Sequence, residues 1–188
     1  SIKVYVDTQR ASFQVFDKTS SYLWRCPDES GSRAVELAVP QGATPPDVDG
    51  NPGEWTDQGV AVAITPDMTA DARKVDGPRD LSARLRLAWH PTGLYFLAMV
   101  KDEVSRPASE GEAEWWYKDS VEFWLGGDQY AIRFGPWGSN LWSASGDTAG
   151  THVAYAKTSA GYVLEAMLPA KLVGDAIAKG VGGKLRFA

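Results

Sequence analysis

The sequence predicts an all-β fold: an antiparallel β-sandwich of jelly-roll-like type with one short helix near the C-terminus. Three observations predict it. Short alternating or apolar runs recur along the chain, separated by turn residues. Helical periodicity is nearly absent. Several adjacent runs face each other across short turn sequences, as hairpins do. At 188 residues the chain fits a single domain and can bury a core without disulfides.

Strands are expected near residues 2–7, 11–16, 34–39, 60–64, 82–89, 94–101, 119–125, 129–134, 140–144, 151–157 and 161–168. The run LAWHPTGLYFLAMV pairs two of them across His90-Pro91-Thr92-Gly93. Its second strand is apolar on both faces, so it belongs at the centre of a sheet. YAKTSAGYVLEAML turns at Ser159-Ala160-Gly161. Residues 40–53 (PQGATPPDVDGNPG) form a Pro/Gly/Asp-rich loop that divides a β-rich segment, residues 1–39, from the rest. The helix is expected over 170–179, after Pro169 and before Gly180.

Composition excludes several functions. Nineteen basic and 24 acidic residues are mixed along the chain, giving a net charge of −5, whereas a nucleic-acid binder needs a basic face. No apolar run reaches the length of a membrane span, so no membrane insertion is expected. Cys26 is the single cysteine, so no intramolecular disulfide forms. Residues 1–16 alternate polar and apolar rather than showing a signal peptide's apolar block, as a trimmed mature chain or an excised domain also would. Eight tryptophans are the unusual feature. Some must fill the core, and others are candidate platforms for a flat ligand.

The hairpin DSVEFWLGGDQYAIRF carries the candidate site. Val121, Phe123 and Leu125 point one way; Ser120, Glu122 and Trp124 point the other. On the returning strand Gln129, Ala131 and Arg133 share the second face. A turn at Gly127-Asp128 sets Glu122 opposite Arg133, and a turn at Gly126-Gly127 sets Ser120 there instead. Either way a carboxylate and a guanidinium share one polar face just after Trp115-Trp116. A pyranose presents flat C–H patches and a rim of hydroxyls. An indole covers the patch, while carboxylate accepts from and guanidinium donates to the rim. A surface ion pair beside core tryptophans would leave the same pattern.

Several stretches, in order, resemble the family 9 carbohydrate-binding modules. VDGNPGEW (48–55) is similar to their opening IDG-x-x-x-EW segment, and LRLAWHPTGLYFLAMVKD (85–102) to their central hairpin. WYKDSVEFWL (116–125) resembles W-x-x-DSVEIFID, the most specific of these motifs. QYAIRF (129–134) and GYVLEAMLP (161–169) resemble two further strands. The resemblance implies a β-sandwich that binds sugar-chain ends and carries structural calcium. By position it implies that Trp116 is a platform, that Glu122 and Arg133 bind hydroxyls, and that Asp102 lies among the calcium-linked acids. The family continues beyond the strand matched by LRFA (185–188) with a loop holding a second platform tryptophan. The segment LWRCPDES resembles that loop, with Trp24 at the tryptophan, so a permuted or strand-exchanged layout over residues 1–39 is expected to complete the sandwich.

The reading is therefore a non-catalytic module, secreted or at the cell surface, that takes an oligosaccharide or polysaccharide and serves as an accessory domain of a secreted glycoside hydrolase. The alternative is an assembly subunit of an extracellular structure, self-associating by strand exchange. Catalysis would need paired carboxylates, for which Glu122, Glu165, Asp119 and Asp102 are available, but no nucleophile motif accompanies them. His90 and His152 are too few for a histidine-rich metal site. A haem reading would use Met99 with Met167 or a histidine, although Met99 reads as core filler.

Overall fold

In the computed structural model two β-sheets pack face to face. The structure describes residues 2–6, 11–17, 20–25, 39–56, 58–65, 75–125 and 128–173. The side chains of residues 2–6, 11–17, 20–25, 124 and 125 lie outside that description.

The strands are β1 (Ile2–Val6), β2 (Ala11–Asp17), β3 (Ser20–Arg25), β4 (Val60–Ile64), β5 (Leu81–His90) and β6 (Gly93–Asp102). They continue with β7 (Ser120–Leu125), β8 (Asp128–Gly135), β9 (Gly138–Ser143), β10 (His152–Thr158) and β11 (Gly161–Pro169). A six-stranded sheet runs β3-β2-β1-β7-β8-β9, and a five-stranded sheet runs β10-β11-β6-β5-β4. Neighbours are antiparallel except β1 and β7, which pair in parallel through Ile2↔Val121, Lys3↔Glu122 and Val4↔Phe123. Only antiparallel neighbours can share a tight hairpin, and β1 and β7 lie more than a hundred residues apart.

Alternation sorts each strand into two faces. Leu85 and Leu87 of β5, Phe96 and Ala98 of β6, Leu164 and Leu168 of β11, and Val121, Phe123, Ile132 and Phe134 of β7 and β8 fill the space between the sheets. Stacked rings bridge the layers, with Phe96 and Phe123 centroids 5.4 Å apart. β6 pairs with β5 on one side and β11 on the other, as its two apolar faces predict. Its second face, with Tyr95 and Leu97, is covered by Trp55 from the 3-10 turn Pro52–Trp55.

One local reading needs adjustment, and two fall largely outside the described residues. SSYLWR, read as the start of a loop, forms β3, because its Tyr, Leu and Trp suit a strand paired to β2. The helix is described only as α1 (Ala170–Val173), and the rest of the expected 170–179 lies outside the described residues. So does residues 34–38 of the expected strand 34–39.

Candidate functional site

The outward face of the six-stranded sheet carries Ser120 and Glu122 from β7, Gln129, Ala131 and Arg133 from β8, and Asn140 and Trp142 from β9. Register pairs Ser120 with Arg133 and Glu122 with Ala131, so of the two turns open to the sequence the structure uses the pairing that puts Arg133 opposite Ser120. Asp128 explains the choice. It stands in β8 opposite Leu125, where its carboxylate accepts from Ser143 Oγ, Ser145 Oγ, Ser145 N and Gln129 N. Burial pushes that carboxyl up, but the four donors outweigh it and hold it below its ordinary range.

The segment between β6 and β7 folds over this face. Asp119 fastens its base: Asp119 N donates to Arg106 O at 3.0 Å, and Arg106 N donates back to Asp119 Oδ2. Trp137 Nε1 donates to Ala108 O at 2.9 Å and holds the middle of the segment to the β8–β9 turn. Lys118 pairs with Glu112 at 3.3 Å, and Ser109 N donates to the same carboxylate. The aspartate of the DSVE stretch is thus a fastener.

A single 3-10 turn, Trp115–Tyr117, sorts the aromatics. Trp115 is buried with Ala108, Ala131 and Trp142, its ring 5.2 Å from that of Trp142. Trp116 meets Trp115 edge-on at 5.9 Å and keeps 39% of its surface exposed. Tyr117, 53% exposed, lies 6.0 Å from Trp116. The Arg133 guanidinium lies over Trp115 with its carbon 5.5 Å from the ring centre, and its Nε donates to Asn140 Oδ1 at 2.9 Å. Trp115, Arg133, Trp137 and Asn140 wall a cleft of about 80 Å³.

The structure therefore joins Trp116 to Arg133 through Trp115. Glu122 shares their face but is fully covered, with Oε2 accepting from Gln129 Nε2 at 2.8 Å. Trp24 lies in β3 in the row of Phe13, Val4 and Phe123, one row from Glu122, and Trp124 pairs with Gln129. The side chains of Trp24 and Trp124 lie outside the described residues, and with them their expected share in the site. Sequence reasoning missed Trp137 and Asn140, and it put Trp115 and Gln129 at the site without giving them a role. The parity of GSNLWS across from β8 could have supplied Asn140; nothing in the WW pair distinguishes the buried ring from the exposed one.

Asp102 ends β6, its Oδ1 accepting from Val104 N at 2.9 Å. Burial, then the charge of Asp119, pushes its carboxyl up. A cation would relieve that repulsion, and main-chain carbonyls and water would have to complete its six to eight oxygens. Among the described residues no three Asp, Glu, His or Cys side chains converge.

The other candidate carboxylate, Glu165, is a structural anchor on the outward face of the five-stranded sheet. Fully buried, it accepts from Trp55 Nε1 at 2.7 Å, Gly50 N at 2.6 Å and Asp49 N at 3.1 Å. Gly50 presents its N–H from a positive φ of 88°, which favours glycine. These bonds tie the VDGNPGEW stretch to the GYVLEAMLP strand. Met99 and Met167 pack against the same Trp55 cluster, as core filler does. His90 bonds Thr92 in the β5–β6 turn, and His152 is exposed on β10.

Comparison with known proteins places this geometry. The profile of the carbohydrate family 9 binding domain-like family matches residues 48–185. A family 9 module from Caldicellulosiruptor kristjanssonii, solved with cellotriose, has the same fold, with a TM-score of 0.52 at 19% identity. That match covers 70% of this chain and 65% of the module, just under two thirds of its length. A glucose complex of a family 9 module from that organism matches at 17% identity with a TM-score of 0.49, covering 70% of this chain and 68% of that one. No curated protein sequence matches. The family match takes in both the DSVE hairpin and the Glu165-anchored loop, and the chain belongs to the carbohydrate family 9 binding domain-like family, a group of non-catalytic carbohydrate-binding modules.

Proposed function

We infer that the chain binds the end of a sugar chain on the outward face of the six-stranded sheet. Trp116 is the platform for the pyranose C–H face, Arg133 donates to hydroxyls, and Glu122 accepts from one once a bound sugar displaces its cover. Trp124, in the row of Gln129, is the candidate for further aromatic contact, whereas Trp24 stands in the row of the core residue Phe123. One observation carries this reading: a partly exposed indole, Trp116, in ring contact with the indole over which the Arg133 guanidinium lies on the same face. The related module solved with cellotriose makes a glucan fragment the first ligand to try. Such a module acts outside the cell, as an accessory domain of a secreted glycoside hydrolase, and a calcium ion at Asp102 stiffens the β6 end.

The test is a titration with cellotriose, glucose and a panel of other oligosaccharides, read by tryptophan fluorescence. A saturable change is expected, and Trp116→Ala weakens binding by about 1–3 kcal/mol, the scale of a lost aromatic contact and its burial. A flat response across the panel would overturn the reading, and unchanged affinity in the variant would remove Trp116 from the site.

A second reading rests on the thinness of one joint. β1, β2 and β3 meet the rest of the six-stranded sheet through three residue pairs, a unit that a neighbouring copy could also donate. Strand exchange would build an assembly on the same fold.

A further inference from the structure

Among the described residues Arg133 is a half-buried charge without a counter-charge. Among the described residues its Nε donates to Asn140 and its carbon lies 5.5 Å over the Trp115 ring centre, while its two Nη groups meet no acceptor and no carboxylate. Glu122, the acid expected to pair with it, stands opposite Ala131 and forms no ion pair with it. Burying a cation costs free energy unless an anion or several acceptors compensate. The Trp115 ring and the Asn140 amide together restrain the guanidinium, so its Nη edge is partly set before any ligand arrives. That edge offers two parallel N–H groups, the spacing that matches both oxygens of a planar carboxylate. Asn140 Oδ1 is already used by Nε, so the cleft presents donors.

We propose that this cleft takes the carboxylate of an acidic sugar, so that the module prefers uronic-acid-bearing glycans over neutral ones. The proposal rests on the sugar-binding reading above. A uronic acid keeps the pyranose C–H face that Trp116 would cover and replaces the terminal CH2OH by a carboxylate able to reach Arg133. Glu110 stands at the rim of the cleft and opposes an anion, but it is exposed, and water and salt screen it.

The experiment compares sugars that differ only in that group: glucuronate with glucose, galacturonate with galactose, and short oligomers of each, titrated at low and high salt. The acidic member of at least one pair should bind about tenfold more tightly, the scale of one charge-assisted bidentate contact. Added salt should erode that preference and leave neutral sugars unaffected. Arg133→Lys should remove the preference, because an ammonium cannot reproduce the fork. Glu110→Gln should strengthen acidic-sugar binding alone. Equal or weaker binding of the acidic member in every pair, with neutral sugars still bound, overturns this proposal and leaves the sugar-binding reading standing. Failure of every sugar to bind overturns both.

Discussion

Replacing Glu165 by glutamine removes a charge that three buried or partly buried N–H groups converge on. A glutamine oxygen can serve Gly50 or Trp55, but the amide NH2 then faces a donor. At least one N–H loses its acceptor, a cost of about 1–3 kcal/mol. The bonds that survive become neutral rather than charge-assisted, but burial of the charge, which raises this carboxyl, offsets that loss. The expected loss is about 1–3 kcal/mol, a sizeable share of the roughly 5–15 kcal/mol of an ordinary domain, yet small enough for the variant to fold. Urea unfolding read by circular dichroism should show a lowered midpoint with an unchanged slope. The pH dependence should change as well. Burial raises the Glu165 carboxyl above its ordinary 4.5, although the three donors pull it back. The folded protein then holds the proton more tightly than the unfolded chain. This carboxyl's contribution is full below pH 4.5 and declines as pH rises through the raised folded value. The glutamine variant should lack that decline. A midpoint within about 0.5 kcal/mol of the parent, or an unaltered pH profile, would refute the anchor argument.

Asp128→Ala should cost about 2 kcal/mol, because four hydrogen bonds are lost at a partly solvated site. Asp128 is held below 3.8, so its contribution is present above that value and lost as pH falls through the folded one; the variant should be less acid-sensitive in proportion. Calcium should raise the melting temperature and a chelator reverse it, with Asp102→Asn blunting the response, if the folded form alone binds the ion; an indifferent melt counts against calcium at Asp102. Deleting residues 1–39 should expose the β7 edge and lower the melting temperature or cause association, seen by size exclusion. A stable monomer would show that β1 contributes nothing.

The strands were legible because alternation and turn residues coincide. The hairpins at Pro91-Thr92 and Ser159-Ala160 and the central place of β6 could all be read from local pattern. Non-local pairing could not: nothing in IKVYV says that it lies parallel to SVEFW. Register at the DSVE hairpin was open because GGD permits two turns, and Asp128 closes it through contacts with serines fifteen and seventeen residues away. At the site, parity put Glu122 and Arg133 on one face, but burial separates them: Glu122 is fully covered while Arg133 lines a cleft. Coverage is set by the segment folded over the sheet, and that packing leaves no periodic trace.

The two outward faces show how one device yields different surfaces. Beside each, a carboxylate accepts main-chain N–H from a loop: Glu165, in β11, from Asp49 and Gly50, and Asp119, the residue before β7, from Arg106. On the five-stranded sheet the loop also delivers Trp55, whose own N–H reaches Glu165 and whose ring joins Tyr95, Leu97 and Val163. That indole is spent on burial. On the six-stranded sheet the loop arrives with two consecutive tryptophans on a 3-10 turn, and one turn cannot bury both against the same sheet. Trp115 goes down onto Ala131 and Trp142 and supports Arg133; Trp116 is left facing solvent. A second aromatic residue beside the first converts a covered face into a presenting one. That step sets the candidate sugar surface on the six-stranded sheet, and it explains why the DSVE aspartate, which touches no ligand in this scheme, is needed to hold the turn in place.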